Sequence, residues 1–123
     1  MDIKLARKVE KPWGHEEIFA ETADYVGKIL FIRQGEALSL QYHEVKEETL
    51  RVLDCELELV TGTDEDRLET HLIGPETVFH ISPGVLHRMV AVTDCRLLEV
   101  STNHLDDVVR LEDRYGRKGT SAP

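Results

Sequence analysis

The sequence lacks any long hydrophobic run. None of its apolar stretches approaches the roughly 20 consecutive residues that a helix needs to cross a bilayer. The N-terminal segment Met1-Asp2-Ile3-Lys4 also lacks the apolar core of a secretory signal peptide. We therefore expect a protein without a membrane partner.

Basic side chains are scarce as well. The chain has 15 Lys and Arg residues against 24 Asp and Glu, which gives a formal net charge of −9. Its few basic residues form no stripe, so a nucleic-acid partner is not expected, because binding to phosphates requires a concentrated positive surface. An acidic surface of this kind mainly keeps soluble molecules apart.

Cysteine occurs only twice, as Cys55 and Cys95. Two cysteines do not make the disulfide framework that stabilises small secreted domains. The composition therefore favours a reduced, cytoplasmic protein. In such a protein both thiols are expected to be small buried packing residues.

The chain does contain a series of short apolar runs separated by turn-forming residues. Its 123 residues, 41% of them hydrophobic, suit a single domain over 1–123 with one core. The runs occupy 29–32, 38–43, 49–60, 68–73, 77–81, 87–92 and 96–101. Many short strands at regular spacing predict an all-β sandwich or barrel.

The two ends are predicted to flank this series. Residues 1–14 form an N-terminal arm, of which 1–12 are an arm or an edge strand before the Lys11-Pro12-Trp13-Gly14 turn. Residues 104–123 form a C-terminal tail. A short helix or turn is predicted near 106–109, with Asn103 as its cap. The pair Asp106-Asp107 is either a solvated acidic face or a structural hydrogen-bonding pair.

Four side chains form a candidate metal site: Gln41, His43, Glu48 and His87. Two imidazoles and two oxygen donors can hold one divalent transition metal. Gln41, His43 and Ser39 share one face of a strand, because alternate residues point the same way. A Pro-Gly turn at 83–84 precedes His87 and offers a way for it to reach the others.

Strand alternation also selects Glu48 over Glu47 as the inward carboxylate. The polar segment 44–47 is predicted to be a turn, so a new strand begins near residue 48. In that strand Glu48 shares the more apolar face with Leu50 and Val52. A carboxylate in an apolar interior is costly unless it is paired or binds a metal. The alternative is a solvated Glu48 at the strand mouth.

The same residues resemble the two motifs of the cupin superfamily. Gly35, followed by Gln41-x-His43 and an acidic residue, is similar to the first motif, and the segment 83–87 is similar to the second. The resemblance implies a small jelly-roll barrel around one metal ion. It also implies that Gln41 binds the metal in place of the histidine that cupins usually have there.

A closer resemblance is to type II phosphomannose isomerases, including the C-terminal domain of bifunctional mannose-1-phosphate guanylyltransferases. Four segments carry it in the family's order: Pro12-Trp13-Gly14, Leu38-Ser39-Leu40-Gln41-x-His43 with Glu48, Pro83-Gly84-Val85-x-His87-Arg88, and the stretch 106–117. The last segment is the most specific, since generic cupins lack it. Lys46 departs from the family, in which arginine is common at this position.

The resemblance implies a metal-dependent sugar-phosphate isomerase. Such an enzyme interconverts an aldose and a ketose, starting from mannose 6-phosphate or a relative, through an enediolate. The partner would be a small sugar or sugar phosphate, and the cofactor one divalent ion of zinc, manganese, cobalt, nickel or iron. Two alternatives stay open: another metal-cupin enzyme (epimerase, lyase or dioxygenase) and a non-catalytic sugar-binding module. A homodimer is expected, because cupins of this size often pair through edge strands.

The sequence identifies residues for proton transfer and phosphate binding less specifically than it identifies the metal ligands. His80 is a candidate general base if it faces inward; the alternative is a strand histidine at the rim. Lys28 is a further catalytic candidate, and Arg33 and Ser39 are candidates for substrate binding. Lys28 and Arg33 would line the barrel in these roles; the alternative for both is a position on the surface. Arg110 is the first choice for the phosphate and is also a catalytic candidate, because the C-terminal resemblance places an arginine near the active site and guanidinium matches phosphate.

Overall fold

Twelve β-strands account for most of the chain that the structure describes. This structure, a computed structural model, describes residues 1–120. In chain order the strands are β1 (Arg7–Lys11), β2 (Gly14–Glu21), β3 (Val26–Ile32), β4 (Leu40–Tyr42), β5 (Glu48–Val52), β6 (Leu57–Gly62), β7 (Glu69–Ile73), β8 (Val78–Ile81), β9 (Leu86–Ala91), β10 (Cys95–Ser101), β11 (Val109–Glu112) and β12 (Gly119–Thr120). The all-β prediction is confirmed. Within residues 1–120 the chain has no helix of the length and apolarity that crossing a membrane requires.

The strands form two antiparallel sheets of six strands that pack against each other. The first has the order β1-β2-β3-β10-β5-β8, and the second has the order β12-β11-β4-β9-β6-β7. In central strands such as β3, β5 and β10, alternate residues are buried and form the core, as in other two-sheet proteins. The core takes side chains from both sheets, among them Leu30, Ile32, Leu50, Leu57 and Leu97.

The turn between β1 and β2 depends on a residue without a side chain. A Cβ atom at Gly14 would lie 1.9 Å from the backbone oxygen of Phe31, so β2 could not approach β3 with any other residue there. Arg33 supports this turn from outside, because its Nη2 donates to the backbone oxygen of Pro12 at 2.7 Å. Arg33 is exposed. Of the two positions left open for it, inside the barrel or on the surface, Arg33 has the surface one, and its role in substrate binding stays a prediction.

The predicted run 49–60 is two strands, β5 and β6, joined by a bend that contains Cys55. Pairing of β5 with β10 brings this bend next to Cys95, and the two cysteines form a disulfide. Their Cα atoms are 5.0 Å apart, within the usual disulfide range of about 4.4–6.8 Å. Both residues are buried, as predicted. The expectation that they are reduced thiols is wrong. Strand pairing brings together two cysteines that are 40 positions apart in the chain, and local sequence patterns do not reveal a contact of this kind.

The segment before β11 contains bends and turns rather than a helix. Asn103 does not cap a helix there; its Nδ2 donates to the backbone oxygen of Thr22 at 2.6 Å. The turn alternative is therefore correct. The chain then enters β11, where Arg110 lies directly opposite Gln41 of β4. This pairing brings the C-terminal segment to the candidate metal site.

Candidate metal centre

The candidate metal ligands come from both sheets. Gln41 on β4 lies directly opposite His87 on β9, and His43 follows the end of β4 by one position. Glu48 is the first residue of β5 in the other sheet. It is 3% exposed, whereas Glu47 is on the surface. The inward orientation that strand alternation predicts for Glu48 is therefore confirmed.

The Pro-Gly turn at 83–84 sets the position of His87 relative to His43. Gly84 has a φ of 85°, which the third position of a type II turn requires and which glycine adopts without strain. Its N–H donates to the backbone oxygen of His43 at 2.8 Å. This hydrogen bond ties the turn before β9 to the end of β4, so that the two histidines face the same space.

Three ligand atoms meet in that space. Nε2 of His43 is 3.6 Å from Oε2 of Glu48, and Nε2 of His87 is 3.7 Å from Oε1 of the same carboxylate. Atoms bound about 2.0–2.2 Å from one ion lie about 3–3.5 Å apart at right-angled or tetrahedral bond angles. These two contacts use different oxygens of Glu48. With one ligand atom from each residue, the three atoms lie within 4.8 Å of one another, so side-chain rotations are needed to bring them to one divalent ion.

Backbone carbonyls fix the orientation of both imidazoles. Nδ1 of His87 donates to the backbone oxygen of Val85 at 3.0 Å, and Nδ1 of His43 donates to the backbone oxygen of Asp107. Because a carbonyl only accepts, each Nδ1 carries a proton and each Nε2 presents a lone pair to the interior. Metal-binding histidines are held in the same way.

The protonation states fit a divalent cation as well. Burial lowers the pKa of His43 to about 4 and also lowers the pKa of His87, so both rings are neutral at pH 7. Burial alone would raise the pKa of Glu48, but Lys46, 2.9 Å away, holds that pKa at about 2. Nε2 of His43 is buried without a hydrogen bond. Neutral imidazoles beside an ionised carboxylate are the forms that bind a metal.

Gln41 needs one change to act as a ligand. Its Nε2 is 3.5 Å from Nε2 of His87, while its Oε1 accepts a hydrogen bond from Oγ of Ser39 at 2.9 Å. An amide binds a metal through its oxygen, because its nitrogen is only a donor. A half-turn of the amide group would therefore complete the site. The buried Ser39 permits both orientations, since a hydroxyl group can donate or accept.

His80 lies outside this cavity. Its ring is exposed on β8, with Nδ1 2.7 Å from Oγ1 of Thr49 and Nε2 3.2 Å from Oε2 of Glu47. The condition set for it as a general base, an inward-facing ring, is therefore not met.

A row of buried charges lines one wall of the cavity, and only two of its members were candidates from the sequence. We call it the charge row; it consists, in spatial order, of Glu48, Lys46, Glu99, Lys28, Glu16 and Lys11. The successive N–O distances are 2.9, 3.3, 3.7, 2.7 and 3.7 Å. Each of these side chains is between 2% and 8% exposed. Negative and positive charges thus alternate from Glu48, at the candidate metal site, to Lys11, at the end of β1.

Two members of the charge row that were not candidates, Glu99 and Glu16, could have been found from strand alternation. Glu99 shares its face of β10 with the buried Cys95 and Leu97. Glu16 shares its face of β2 with the buried Ile18. A charged residue in an otherwise apolar, inward-facing series indicates a paired or functional group, because an unpaired buried charge is costly.

Further cations line the cavity near Lys11. Arg110 is 5% exposed, and Arg117 is fixed by two hydrogen bonds to Asp113, at 3.0 and 3.2 Å. Burial, followed by the charges of Lys28, Arg117 and Arg110, lowers the pKa of Lys11. Among the described residues, five Lys and Arg and four Asp and Glu line the cavity, a net charge of +1 in a chain of −9. This sign favours anionic ligands.

Comparison with known proteins decides the family. The family described as mannose-6-phosphate isomerase C-terminal matches residues 1–113. The chain belongs to this family. Mannose-1-phosphate guanylyltransferase ManC of Salmonella typhimurium is 34% identical over 120 residues, covering 92% of this chain and 24% of ManC. Xanthan biosynthesis protein XanB of Xanthomonas campestris is 31% identical over 116 residues, covering 90% of this chain and 24% of XanB. The chain thus spans about a quarter of the length of these relatives.

Solved structures share the fold of this family member. CapF, a capsular polysaccharide assembling protein of Staphylococcus aureus, matches with a TM-score of 0.70 and 14% identity, over 96% of this chain and 32% of its own. Oxalate decarboxylase of Bacillus subtilis matches with a TM-score of 0.73 and 10% identity, over 86% of this chain and 30% of its own. At such identities the likeness concerns the fold alone, and it confirms the predicted cupin barrel.

The family match has a direct bearing on the cavity. It ends at residue 113 and so includes the candidate ligands, the whole charge row and Arg110. Arg117, which also lines the cavity, lies beyond it. Most residues that line the cavity therefore lie within the part of the chain that matches the family. Arg117 lies in the segment that follows the match.

Proposed function

We propose that this protein is a metal-dependent isomerase that interconverts an aldose phosphate and a ketose phosphate, with mannose 6-phosphate as the first substrate to test. The observation that carries the proposal is the convergence of His43, Glu48 and His87 on one buried point inside a cavity of net positive charge. The family's description and the name of ManC both refer to mannose phosphates. They support a phosphorylated mannose as the ligand.

The proposed metal ligands are Gln41, His43, Glu48 and His87. When bound, a divalent ion would act as a Lewis acid that polarises the substrate carbonyl and stabilises the negative charge of the enediolate. Nitrogen and oxygen donors of this kind suit zinc, manganese, iron, cobalt or nickel. Ser39 would hold the amide of Gln41 in the orientation that presents Oε1.

The cations of the cavity would bind the phosphate group. Arg110 is the main candidate, because it is buried and its planar guanidinium can form two parallel hydrogen bonds to phosphate oxygens. Arg117 and Lys11 line the same cavity and would add charge. A phosphate at these residues would direct the sugar toward the metal site, along the charge row.

A turnover assay tests this function. Mannose 6-phosphate is supplied to the purified protein after metal removal and after restoration with each divalent ion, and fructose 6-phosphate is measured. We expect turnover that depends on the metal. The His80→Ala variant serves as a control, because His80 is exposed and outside the cavity, and it should retain activity. Absence of turnover with every ion would contradict the proposal; sugar binding without turnover would favour a binding module instead.

A further inference from the structure

The charge row crosses the inner face of the first sheet strand by strand. Glu48 lies on β5, Glu99 on β10, Lys28 on β3, Glu16 on β2 and Lys11 on β1, and these strands are neighbours in this order. Glu99 and Lys28 are directly opposite each other in the pairing of β10 with β3. Lys46 precedes β5 and bridges Glu48 to Glu99.

Burying a row of charges costs desolvation free energy. Replacing a buried ion pair with apolar residues is often neutral or stabilising, so such a pair is weak evidence for a role in stability. The row also lines the cavity rather than the packed core. Its members are therefore placed to contact a ligand, and the question is which of them can accept a proton.

Lysine and arginine are poor candidates for a base in this cavity. Lys46 lies between Glu48 and Glu99, 2.9 and 3.3 Å from their carboxylate oxygens, and so serves as the counter-ion of both. Lys28 donates a hydrogen bond to Glu16 at 2.7 Å and is 3.7 Å from Glu99, so it is also engaged by two carboxylates. Arginine remains charged in proteins.

The carboxylates differ in how fully they are engaged. Asp107 accepts three backbone N–H bonds, from the segment 44–46. Glu16 accepts the short hydrogen bond from Lys28 and is also 3.7 Å from Lys11. Glu48 and Glu99 differ from these two, because Oε2 of each is buried without a well-aligned hydrogen bond. Glu48 is a proposed metal ligand. Glu99, whose Oε2 is 3.3 Å from Lys46 and 3.7 Å from Lys28, is therefore the carboxylate left for proton transfer.

From this geometry we infer that Glu99 is the acid–base residue of the cavity, and that Lys28 and Lys46 are positioning residues which hold its carboxylate. The inference rests on the proposed isomerase function and supplies the general base that His80 does not provide. Through Lys46, Glu99 is one residue removed from the metal ligand Glu48.

The proton balance of the step is simple. The Glu99 carboxylate removes the proton from the carbon next to the substrate carbonyl. The electron pair of the broken C–H bond forms the C=C bond of the enediolate, and the carbonyl oxygen takes the negative charge. Glu99, now a carboxylic acid, returns the proton to the former carbonyl carbon, while the hydroxyl proton moves to the other oxygen. No oxidant or reductant is needed.

The environment of Glu99 suits this role. Burial, followed by the negative charge of Glu48, raises its pKa, while Lys28 and Lys46 oppose the rise and Glu16 adds to it. A general base works best with a pKa closer to the working pH than that of an ordinary carboxylate. Within residues 1–120, these four are the charged groups that act on Glu99.

The test compares two substitutions with the same chemistry. Glu99→Gln removes the base, and Glu16→Gln removes a carboxylate that contacts the same lysine. Both variants are assayed for metal content, for kcat and KM with mannose 6-phosphate, and for uptake of deuterium from D2O into the substrate. We expect Glu99→Gln to bind metal normally, to keep its KM, and to lose at least about 100-fold in kcat and in deuterium uptake. The kcat of Glu16→Gln should fall less than tenfold.

Lys28→Met tests the positioning role. Loss of this positive charge should raise the pKa of Glu99, so the rise of kcat with pH should move to higher pH; a purely structural role would lower kcat without moving the profile. If Glu99→Gln does not fold, Lys28→Met/Glu99→Gln removes one buried charge of each sign and leaves the net charge of the row unchanged. Glu16 then keeps Lys11, 3.7 Å away, as its counter-ion. A folded, metal-binding double variant should be inactive.

The outcomes separate the two proposals. If the wild-type protein isomerises mannose 6-phosphate and Glu99→Gln, or the double variant, keeps its kcat within threefold, the role of Glu99 is overturned and the isomerase function stands. If the wild-type protein shows no turnover with any divalent ion, the isomerase function is overturned, and the role of Glu99 with it.

Discussion

Asp107 contacts His43 and the loop after it with two different groups. Its backbone oxygen accepts the hydrogen bond from Nδ1 of His43. Its carboxylate accepts the N–H groups of Glu44, Val45 and Lys46, at 2.9, 2.7 and 2.8 Å. The residue therefore orients a candidate ligand and shapes the loop between β4 and β5. Of the two roles left open by the sequence for this acidic pair, Asp107 has the structural one.

Removal of the Asp107 carboxylate should weaken metal binding. In Asp107→Ala the three N–H groups of the loop lose their acceptor, so the loop that carries His43 to Glu48 is no longer fixed. Loss of groups that orient metal ligands commonly costs about 10–100-fold in affinity, and we expect a decrease in this range by calorimetric titration. Asp106→Ala is the matched control, because Asp106 is exposed. An equal decrease in both variants would contradict the specific role of Asp107.

The two histidines should be required for the metal. His43→Ala and His87→Ala each remove a buried donor, and the remaining donors are too few to hold a divalent ion firmly. Metal content after dialysis, measured by mass spectrometry, should fall from one ion per chain to near zero. His80→Ala should retain the wild-type content. One ion per chain in both ligand variants would show that the metal lies elsewhere.

The disulfide between Cys55 and Cys95 should contribute strongly to stability. It closes a loop of 40 residues, and the loss of chain entropy in the unfolded state predicts about 4 kcal/mol of stabilisation. A Cys55→Ala/Cys95→Ala variant should therefore unfold at a clearly lower urea concentration than the oxidised protein. Thiol titration of the unfolded, unreduced protein should find no free thiol; two thiols per chain would exclude the bond.

The ion pair between Asp113 and Arg117 should give a pH-dependent contribution to stability. Burial raises the pKa of Asp113, but the hydrogen bonds from Arg117 outweigh it and lower the pKa. A carboxylate with a depressed folded-state pKa stabilises the protein above its unfolded pKa, about 3.9 for aspartate, and this contribution is lost as the pH falls through the folded value.

Urea unfolding of Asp113→Asn at several pH values measures this contribution. The variant should be less stable than the wild type at pH 7, and the difference should shrink below about pH 4. Glu112→Gln provides the control, since the Glu112 side chain is 63% exposed. A difference between Asp113→Asn and wild type that does not change with pH would contradict the ion-pair interpretation.

Local patterns predicted much of the site. Alternation in a strand correctly turned Glu48 inward and Glu47 outward, because the period of two is a property of the extended backbone itself. The Pro-Gly turn at 83–84 is equally local, since a type II turn has strict residue requirements. Both patterns lie within a few residues, and the sequence displays them directly.

Contacts between distant strands could not be predicted in this way. The disulfide depends on the pairing of β5 with β10, and the cavity position of Arg110 depends on the pairing of β11 with β4. The charge row joins five strands and a loop. Neither the order of strands in a sheet nor the partner of a buried charge follows from local periodicity. His80 shows the same limit: its residue type suited catalysis, but strand pairing placed it beside Glu47 at the surface.

Because the candidate ligands come from both sheets, binding of a metal ion should be coupled to unfolding of the protein. Gln41 and His87 belong to one sheet and Glu48 to the other, so an ion held by all of them would act as a cross-link through the middle of the sandwich. Separating the sheets would then require release of the ion. A ligand present at 100 times its dissociation constant adds about 2.7 kcal/mol to stability, so the melting temperature alone can rank divalent ions by affinity before any substrate is known.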